Sequence, residues 1–178
     1  MKSKIIAVSA FSSAFSALFL TIGAYFEFFD LIGVVFASIF TVLPIYFNSY
    51  KGCFLSYLAG GIIAFIFSGF NLLSIVFPIY FLFFGIYPTI KYIAIDKSFN
   101  KTLFTILTLI WAIASAIGAF YYYVLIVWQD LFTGLPEFFS NYAILFVILV
   151  GIIFYFVFDR FVFVARGLVY KYLGKIIK

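Results

Sequence analysis

The chain has 178 residues and a formal net charge of +5; 67% of its residues are hydrophobic and 10% are charged. Soluble domains average roughly 45–50% apolar and about 25% charged residues, so this composition excludes a soluble globular fold. The sequence has no histidine and one cysteine, Cys53. Disulfide frameworks, imidazole or multi-thiolate metal sites and histidine-dependent catalysis within the chain are therefore excluded as well.

Six hydrophobic runs nearly fill the chain, each close to the roughly 20 residues that one membrane-crossing helix needs. We therefore predict an all-α membrane protein, a single bundle of six transmembrane helices with a basic C-terminal tail. The first run is too long for the core of a cleaved signal peptide, so we interpret it as a retained helix. The predicted spans are 5–28, 31–47, 53–70, 72–90, 102–128 and 142–158, and the tail is 159–178.

The placement of charges supports this count independently. All eleven Lys and Arg residues lie before the first span, on alternate loops or after the sixth span. The other loops carry Glu27, Asp30, the Asn71 turn, Asp130 and Glu137. Because basic residues gather on cytoplasmic loops, we expect both termini to be cytoplasmic in a multi-pass protein of the plasma membrane. We also expect the basic charges to contact lipid headgroups rather than nucleic acid.

No charged residue has to lie at mid-membrane, where such residues usually mark ion or proton pathways. Lys91 is assigned to the loop between the fourth and fifth spans. The tail combines apolar residues near helical spacing with basic residues. Two interpretations stay open for it: a continuation of the sixth helix, or a helix lying flat on the inner leaflet.

Small residues recur every four positions in several spans, a spacing that lets membrane helices pack closely. The third span has the longest such series, which we interpret as a helix-packing face: Gly52, Ser56, Gly60, Ala64 and Ser68. The fifth span has two shorter pairs, Ala112 with Ala116 and Ser115 with Ala119. The first span carries small residues on more than one face. One face would serve the fold, and a face with Ala10, Ala14 and Ala17 is our candidate partner interface.

Aromatic and polar residues cluster near the predicted outer ends of the spans. Tyr121, Tyr122, Tyr123 and Trp128 fit an aromatic belt at the membrane boundary, or rings that hold a flat ligand. The acids nearby are either solvated loop residues or part of such a site. Our candidate ligand-binding residues are Glu27, Asn71, Tyr122, Trp128 and Asn141. Pro44 and Pro78 fall within spans, where a kink either shapes a cavity or serves ordinary packing.

No phosphate-binding glycine loop, serine-nucleophile elbow, paired intramembrane carboxylates or metal-ligand cluster is present in the sequence. We therefore expect no enzymatic activity, no cofactor and no bound metal. An enzyme that acts on lipids is the least favoured alternative, because candidate catalytic groups are lacking. An ATP-driven role would require an ATPase on another chain.

The Ala10-Phe-Ser-Ser-Ala14 motif with Ala17 resembles the alanine-rich face of the first helix in substrate-binding S components of energy-coupling factor transporters. The likeness in architecture covers nearly the whole chain. It implies a micronutrient captured at the outer face, a membrane-spanning coupling subunit and separate ATPases. The stretch from Phe84 to Lys91 is also similar to segments of uncharacterised membrane proteins of Gram-positive bacteria, so we expect a bacterial cell membrane.

Two hypotheses follow. The first is a substrate-binding subunit of a micronutrient uptake transporter, with its ligand site near the outer face and with partner subunits that supply the energy. The alternative is a non-catalytic scaffold or assembly factor that binds other membrane proteins through small-residue helix faces. The sequence carries no signature for a particular ligand.

Overall fold

A computed structural model shows an all-α bundle with no β-strand among the residues that it describes. The description covers residues 2–126 and 137–176, apart from the side chains of residues 27, 137–141 and 173–176. The helices are α1 Lys2–Tyr25, α2 Asp30–Phe40, α3 Tyr50–Phe67, α4 Val76–Ile79, α5 Tyr87–Asp96, α6 Lys101–Ile126 and α7 Glu137–Ile176. Short 3₁₀ segments span Glu27–Phe29 and Leu43–Phe47, and a π-helical segment spans Tyr80–Phe84.

Six segments of this bundle are long and apolar enough to cross a membrane, which confirms the predicted fold class. They are Lys2–Tyr25, Asp30–Phe47, Tyr50–Phe67, Val76–Asp96, Lys101–Ile126 and Tyr142–Tyr172. Large apolar side chains are exposed on each of these segments, as expected where lipid is the solvent. The chain is a multi-pass membrane protein in a lipid bilayer.

Contacts between the segments show which ends share a side of the bundle. On one side, the Ser56 hydroxyl of α3 donates to the Ser9 carbonyl of α1 at 3.0 Å, and Tyr170 of α7 donates to the Ile45 carbonyl. We call this the basic side, because the Lys and Arg residues at the start of α1 and near the end of α7 lie there. On the other, acidic side, Tyr25 donates to the Phe67 carbonyl at 3.1 Å. The start of α1 and the end of α7 therefore lie on the same side, as an even number of spans requires.

α1 packs closely against α2 and α3. The Ser16 hydroxyl donates to the Ala37 carbonyl of α2 at 2.9 Å, and the Ser12 hydroxyl donates to the Phe40 carbonyl. A Cβ atom added to Gly60 of α3 would lie 2.8 Å from the Ser16 Cβ, so only glycine permits this approach. The whole predicted small-residue series of α3 is buried. Close backbone approach thus organises the α1–α3 half of the bundle.

The fourth span is a broken helix. Its π-helical segment follows Pro78, and the Gly85 N–H bonds back to the Tyr80 carbonyl at 2.9 Å. The Tyr57 hydroxyl of α3 donates to the Phe81 carbonyl at 2.9 Å, while the Tyr80 hydroxyl donates to the Tyr57 carbonyl at 3.2 Å. A break in a membrane helix leaves backbone carbonyls without their usual partners. Because lipid supplies no hydrogen bonds, other parts of the protein must donate to these carbonyls. These bonds fasten the broken segment to α3.

α7 is fastened to the fourth span by two ion pairs. Lys91 Nζ lies 2.5 Å from Asp159 Oδ1 and 2.7 Å from the Asp159 carbonyl oxygen, and the Tyr87 hydroxyl donates to the same carboxylate. Farther toward the end of α7, Arg166 lies 2.6 Å from Asp96. Lys91 is only 7% exposed. The sequence placed Lys91 in a loop, but it lies within α5, where a partner distant in sequence compensates the buried charge.

The largest differences from the predicted spans are found at the fourth and sixth segments. The fourth membrane-crossing segment begins at Val76 and ends at Asp96, not at 72 and 90. Gly69 and Phe70 adopt left-handed backbone conformations after α3, and the Asn71 side chain accepts from the Leu73 N–H at 3.1 Å. These residues and Leu72 form a turn despite their apolar neighbours. The tail does not lie flat: α7 continues the sixth span without a break to Ile176.

Candidate functional site

A cavity of about 300 Å³ lies between the fourth span, α6 and α7, with Leu31 of α2 at its edge. It runs from the acidic side toward the middle of the bundle, because its lining includes both Ile75 and Tyr155. Cavities that hold small molecules are typically about this size or larger. The helical residues that line it most centrally are Phe83, Phe84, Ala116, Ala119, Val147, Gly151 and Phe154.

The space exists because aromatic rings and small residues alternate around it. Phe83 and Phe84 of the π-helical segment pack against Trp111 of α6 and Phe154 of α7, with ring centroids 5.1 and 5.6 Å apart. Where α6 and α7 face each other, they present Ala116 and Gly151. α6 and α7 are in contact there, because a Cβ atom added to Gly151 would lie 3.4 Å from the Ala116 Cβ. These small side chains leave space next to the rings of the fourth span. The π-helical segment therefore shapes one wall of the cavity.

The cavity lining is almost entirely apolar. The Ser115 hydroxyl lies 3.4 Å from the Leu82 carbonyl, to which it donates. The Tyr155 hydroxyl is 2.7 Å from the Thr108 hydroxyl, which directs it toward α6. Polar groups at the wall are thus engaged with the protein. A ligand that fits here is small and largely apolar, because the described lining residues include no charged side chain to pair with an ionised group.

Two of the predicted ligand residues lie at the acidic end of the bundle, next to this cavity but not in its wall. Asn71 donates to the Ala24 carbonyl at 3.4 Å and caps its own turn. The Tyr122 hydroxyl donates to the Leu72 carbonyl of the same turn. The structure therefore brings Asn71 and Tyr122 together, as residues that hold the turn between α3 and α4 against α1 and α6.

The other predicted ligand residues are not placed. Trp128 and the side chains of Glu27 and Asn141 lie outside the part of the chain that the structure describes. Tyr123, the next residue after Tyr122, does line the cavity. The described part of the aromatic cluster, Tyr121 to Tyr123, is therefore adjacent to the cavity, with Tyr123 in its wall.

Sequence reasoning missed most of the cavity wall, although one signal for it was present. The two small-residue pairs of the fifth span all line the cavity: Ala112, Ser115, Ala116 and Ala119. The same spacing predicts close helix packing in α3 and accompanies a cavity in α6. What differs is the facing surface, which is small in α1 but aromatic in the fourth span. That difference depends on the fold and is not visible in either segment alone.

A second concave surface, which we call the groove, lies between α1 and α3 on another face of the bundle. It encloses about 670 Å³. The Ser13 and Thr21 hydroxyls in its wall each donate to a carbonyl of their own helix at 2.8 Å, which leaves an apolar surface. The groove is lined by Ala10, Ser13, Ala14, Ala17, Leu18, Thr21, Ile22, Ala59, Ile63 and Phe67.

The predicted partner interface divides between this groove and the core. Ala10 and Ala14 are exposed and form the floor of the groove on α1. Ala17 also reaches the groove but is only 5% exposed and belongs to the core shared by α1, α2 and α3. Small residues on the other faces of α1 contact α2 and α3, so the exposed pair is not needed to hold the described bundle together.

Comparison with models of known protein families, with curated proteins and with solved structures finds no match to this chain. The features of this chain that bear on function are therefore its membrane topology, the cavity and the groove. These two surfaces involve different helices: α6 and α7 line the cavity, and α1 and α3 line the groove.

Proposed function

We propose that this chain is the substrate-binding membrane subunit of a micronutrient uptake transporter of the S-component type. The cavity holds the ligand, which enters from the acidic side, and the groove receives a membrane-spanning coupling subunit that is energised by separate ATPases. The observation that carries the proposal is the pairing of an apolar cavity with a separate, exposed small-residue groove. A binding subunit driven by other chains needs both surfaces.

The cavity determines which ligand chemistry is proposed. Its volume of about 300 Å³ and its apolar lining favour a compact molecule with a flat or hydrophobic body. Tyr123, which lines the cavity near its acidic end, would contact a polar end of such a molecule. The proposed orientation places the acidic side outside the cell, in agreement with the distribution of Lys and Arg.

Native mass spectrometry tests the ligand-binding part. Protein purified in a mild detergent should carry a small-molecule adduct, and Ala116→Phe should remove it by filling the cavity. Ile110→Phe is the matched control, because Ile110 lies on the same helix with 59% of its surface exposed, outside the cavity. A wild-type chain that never carries an adduct, or an adduct that survives in Ala116→Phe, would contradict the proposal.

Copurification tests the partner-binding part. Ala14→Leu places a larger side chain in the groove and should abolish copurification of the ATPase module without unfolding the chain. Ala114→Leu is the matched control, because Ala114 is an exposed alanine of α6 that lines neither the groove nor the cavity. Equal recovery of the ATPases with both variants would rule out the groove as the docking surface.

A membrane scaffold is the second candidate function, and the same groove favours it. A scaffold uses the groove to hold other membrane proteins and has no need of a ligand in the cavity. It predicts that Ala14→Leu releases partner proteins while the wild-type chain carries no small molecule. The two experiments together therefore separate the two functions.

A further inference from the structure

A third concave surface, which we call the cleft, lies on the basic side between α5, the first turns of α6 and α7. It encloses about 780 Å³, and polar and charged groups make up a larger share of its lining than in the cavity or the groove. It opens where α6 begins, which places its mouth near the membrane boundary. Its lining residues are Lys91, Ile95, Lys101, Thr102, Phe104, Thr105, Ile106, Asp159, Arg160 and Phe163.

The charges in the cleft are unbalanced in favour of cations. Lys91 and Asp159 neutralise each other at 2.5 Å. Lys101 and Arg160 are exposed, and among the described residues neither has a carboxylate within ion-pair distance. One guanidinium and one ammonium therefore face the same space without a protein counter-ion. An anion between them would be held by two charge-assisted contacts.

The polar groups of the cleft suit a phosphate. Thr102 and Thr105 line the cleft, and a threonine hydroxyl can donate to a phosphate oxygen. The backbone N–H groups of Thr102 and Leu103 are already taken, because the Asn100 side chain accepts from both, at 3.0 and 3.3 Å. Recognition would therefore come from side chains, in particular the planar guanidinium of Arg160, which can bind two phosphate oxygens at once.

The apolar part of the cleft distinguishes a lipid from a free anion. Ile106 and Phe163 are 52% and 59% exposed and continue from the cleft along the surfaces of α6 and α7. In a bilayer these side chains face acyl chains. A molecule with a phosphate at the membrane boundary and hydrocarbon below it matches both parts of the surface.

We propose that the cleft is a binding site for the phosphate of an anionic phospholipid in the leaflet on the basic side. Lys101 and Arg160 hold the phosphate, the two threonines donate hydrogen bonds to it, and Phe163 contacts the acyl chain. Lys91 keeps Asp159 neutralised, so that its carboxylate does not repel the ligand. This site is independent of the ligand proposed for the cavity.

The test measures lipid adducts by native mass spectrometry on the full chain, titrated with phosphatidylglycerol or phosphatidylcholine. The wild-type chain should prefer phosphatidylglycerol. The double variant Lys101→Gln/Arg160→Gln should bind phosphatidylglycerol about 25-fold more weakly, because each charge removed weakens binding about fivefold and the two factors multiply. The control, Lys51→Gln/Lys171→Gln, removes two basic charges outside the cleft lining, and should retain the preference because distant charges are screened.

Competition with inorganic phosphate identifies the source of the anion. If millimolar phosphate fails to displace phosphatidylglycerol, the acyl chain contributes to binding, as proposed. Displacement at that concentration would show a site for free phosphate and overturn the assignment to a lipid. Equal binding of the two lipids, or equal losses in the cleft and control variants, would overturn the site itself. Thermal unfolding of both double variants shows whether each still folds.

Discussion

The α1–α3 half of the bundle is richer in Gly, Ala and Ser than the half formed by the π-helical segment, α6 and α7, and the two halves pack differently. In the first half, serines of α1 donate to carbonyls of α2, and glycine lets α3 approach to contact distance. In the second half, α6 and α7 touch at Ala116 and Gly151, and a cavity of about 300 Å³ remains where these small residues adjoin the rings of Phe83, Phe84 and Phe154. Small residues against small residues leave no cavity between α1 and α3, whereas small residues beside rings border one.

The physical basis of this difference is the membrane itself. Lipid tails are as apolar as leucine, so helices associate through dispersion contacts and hydrogen bonds between them. Close backbone approach maximises those contacts and leaves no room for additional atoms. Aromatic rings make large contacts too, but their fixed shapes leave gaps between them. The first half should therefore reject added volume, and the second should accept it.

The largest effect is expected for Gly60→Leu. The new side chain would collide with Ser16 and with the Ser13 carbonyl of α1, so the free energy of unfolding should fall by about 3 kcal/mol. Reversible unfolding in mixed micelles measures the change. Gly167→Leu is the control, since a Cβ atom there has no neighbour within 4 Å. Equal losses in the two variants would disprove close packing between α1 and α3.

The next effect concerns the attachment of α7. Asp159→Asn keeps an acceptor for Tyr87 but leaves the buried Lys91 ammonium without its counter-charge, and should cost about 2 kcal/mol of unfolding free energy. Adding Lys91→Met removes that charge and should recover most of the loss. The same unfolding assay compares the single and double variants. A double variant no more stable than the single one would speak against the ion pair.

A smaller loss is expected at the other ion pair. Arg166→Gln breaks the contact with Asp96, but both side chains are partly exposed, at 22% and 28%. Such pairs contribute about 1 kcal/mol or less. Thermal melting should show a lower melting temperature for the variant than for the wild type, and this difference should become smaller as the salt concentration rises. Lys51→Gln, which removes the same charge at the start of α3, controls for net charge. If the difference in melting temperature does not depend on salt, the loss comes from the contact of the Arg166 side chain with the Tyr92 ring and not from the ion pair.

The smallest change is expected in the cavity. Ala116→Leu adds volume where space exists and should raise the free energy of unfolding by about 0.5 kcal/mol. The unfolding assay used for Gly60→Leu allows a direct comparison. If Ala116→Leu destabilises the chain as strongly as Gly60→Leu does, the two halves do not differ in their tolerance of added volume.

The sequence predicted the parts of this fold that depend on local patterns. Hydrophobic length and the placement of Lys and Arg indicated the six spans, and a four-residue spacing singled out the face of α3 that contacts α1. The cavity could not be predicted, because the residues that Ala112 and Ala116 face belong to segments distant in the sequence. Lys91 was misplaced for a similar reason. Its partner Asp159 is 68 residues away, and no local pattern joins them.

The start of the fourth span and its π-helical segment also depend on distant contacts. Leu72 is as apolar as a helix residue, so hydropathy extends the predicted span through the turn. The broken helix is held by hydroxyls of Tyr57 and Tyr80, which a single-segment pattern does not show. The predicted ligand residues share this limitation. Asn71 and Tyr122 have the chemistry of a binding site, but their partners are backbone carbonyls of the bundle itself.

The length of α7 gives the bundle a simple mechanical property. This helix has 40 residues and measures about 60 Å, and its ion pairs with the fourth span all lie on the basic side of the cavity. Tyr142 is about 25 Å from the anchored Asp159, so each degree of tilt about that point displaces Tyr142 by about 0.4 Å. Five degrees gives about 2 Å at the acidic end of the cavity. Tilting of α7 about the Asp159 anchor would therefore change the width of the cavity at its acidic end.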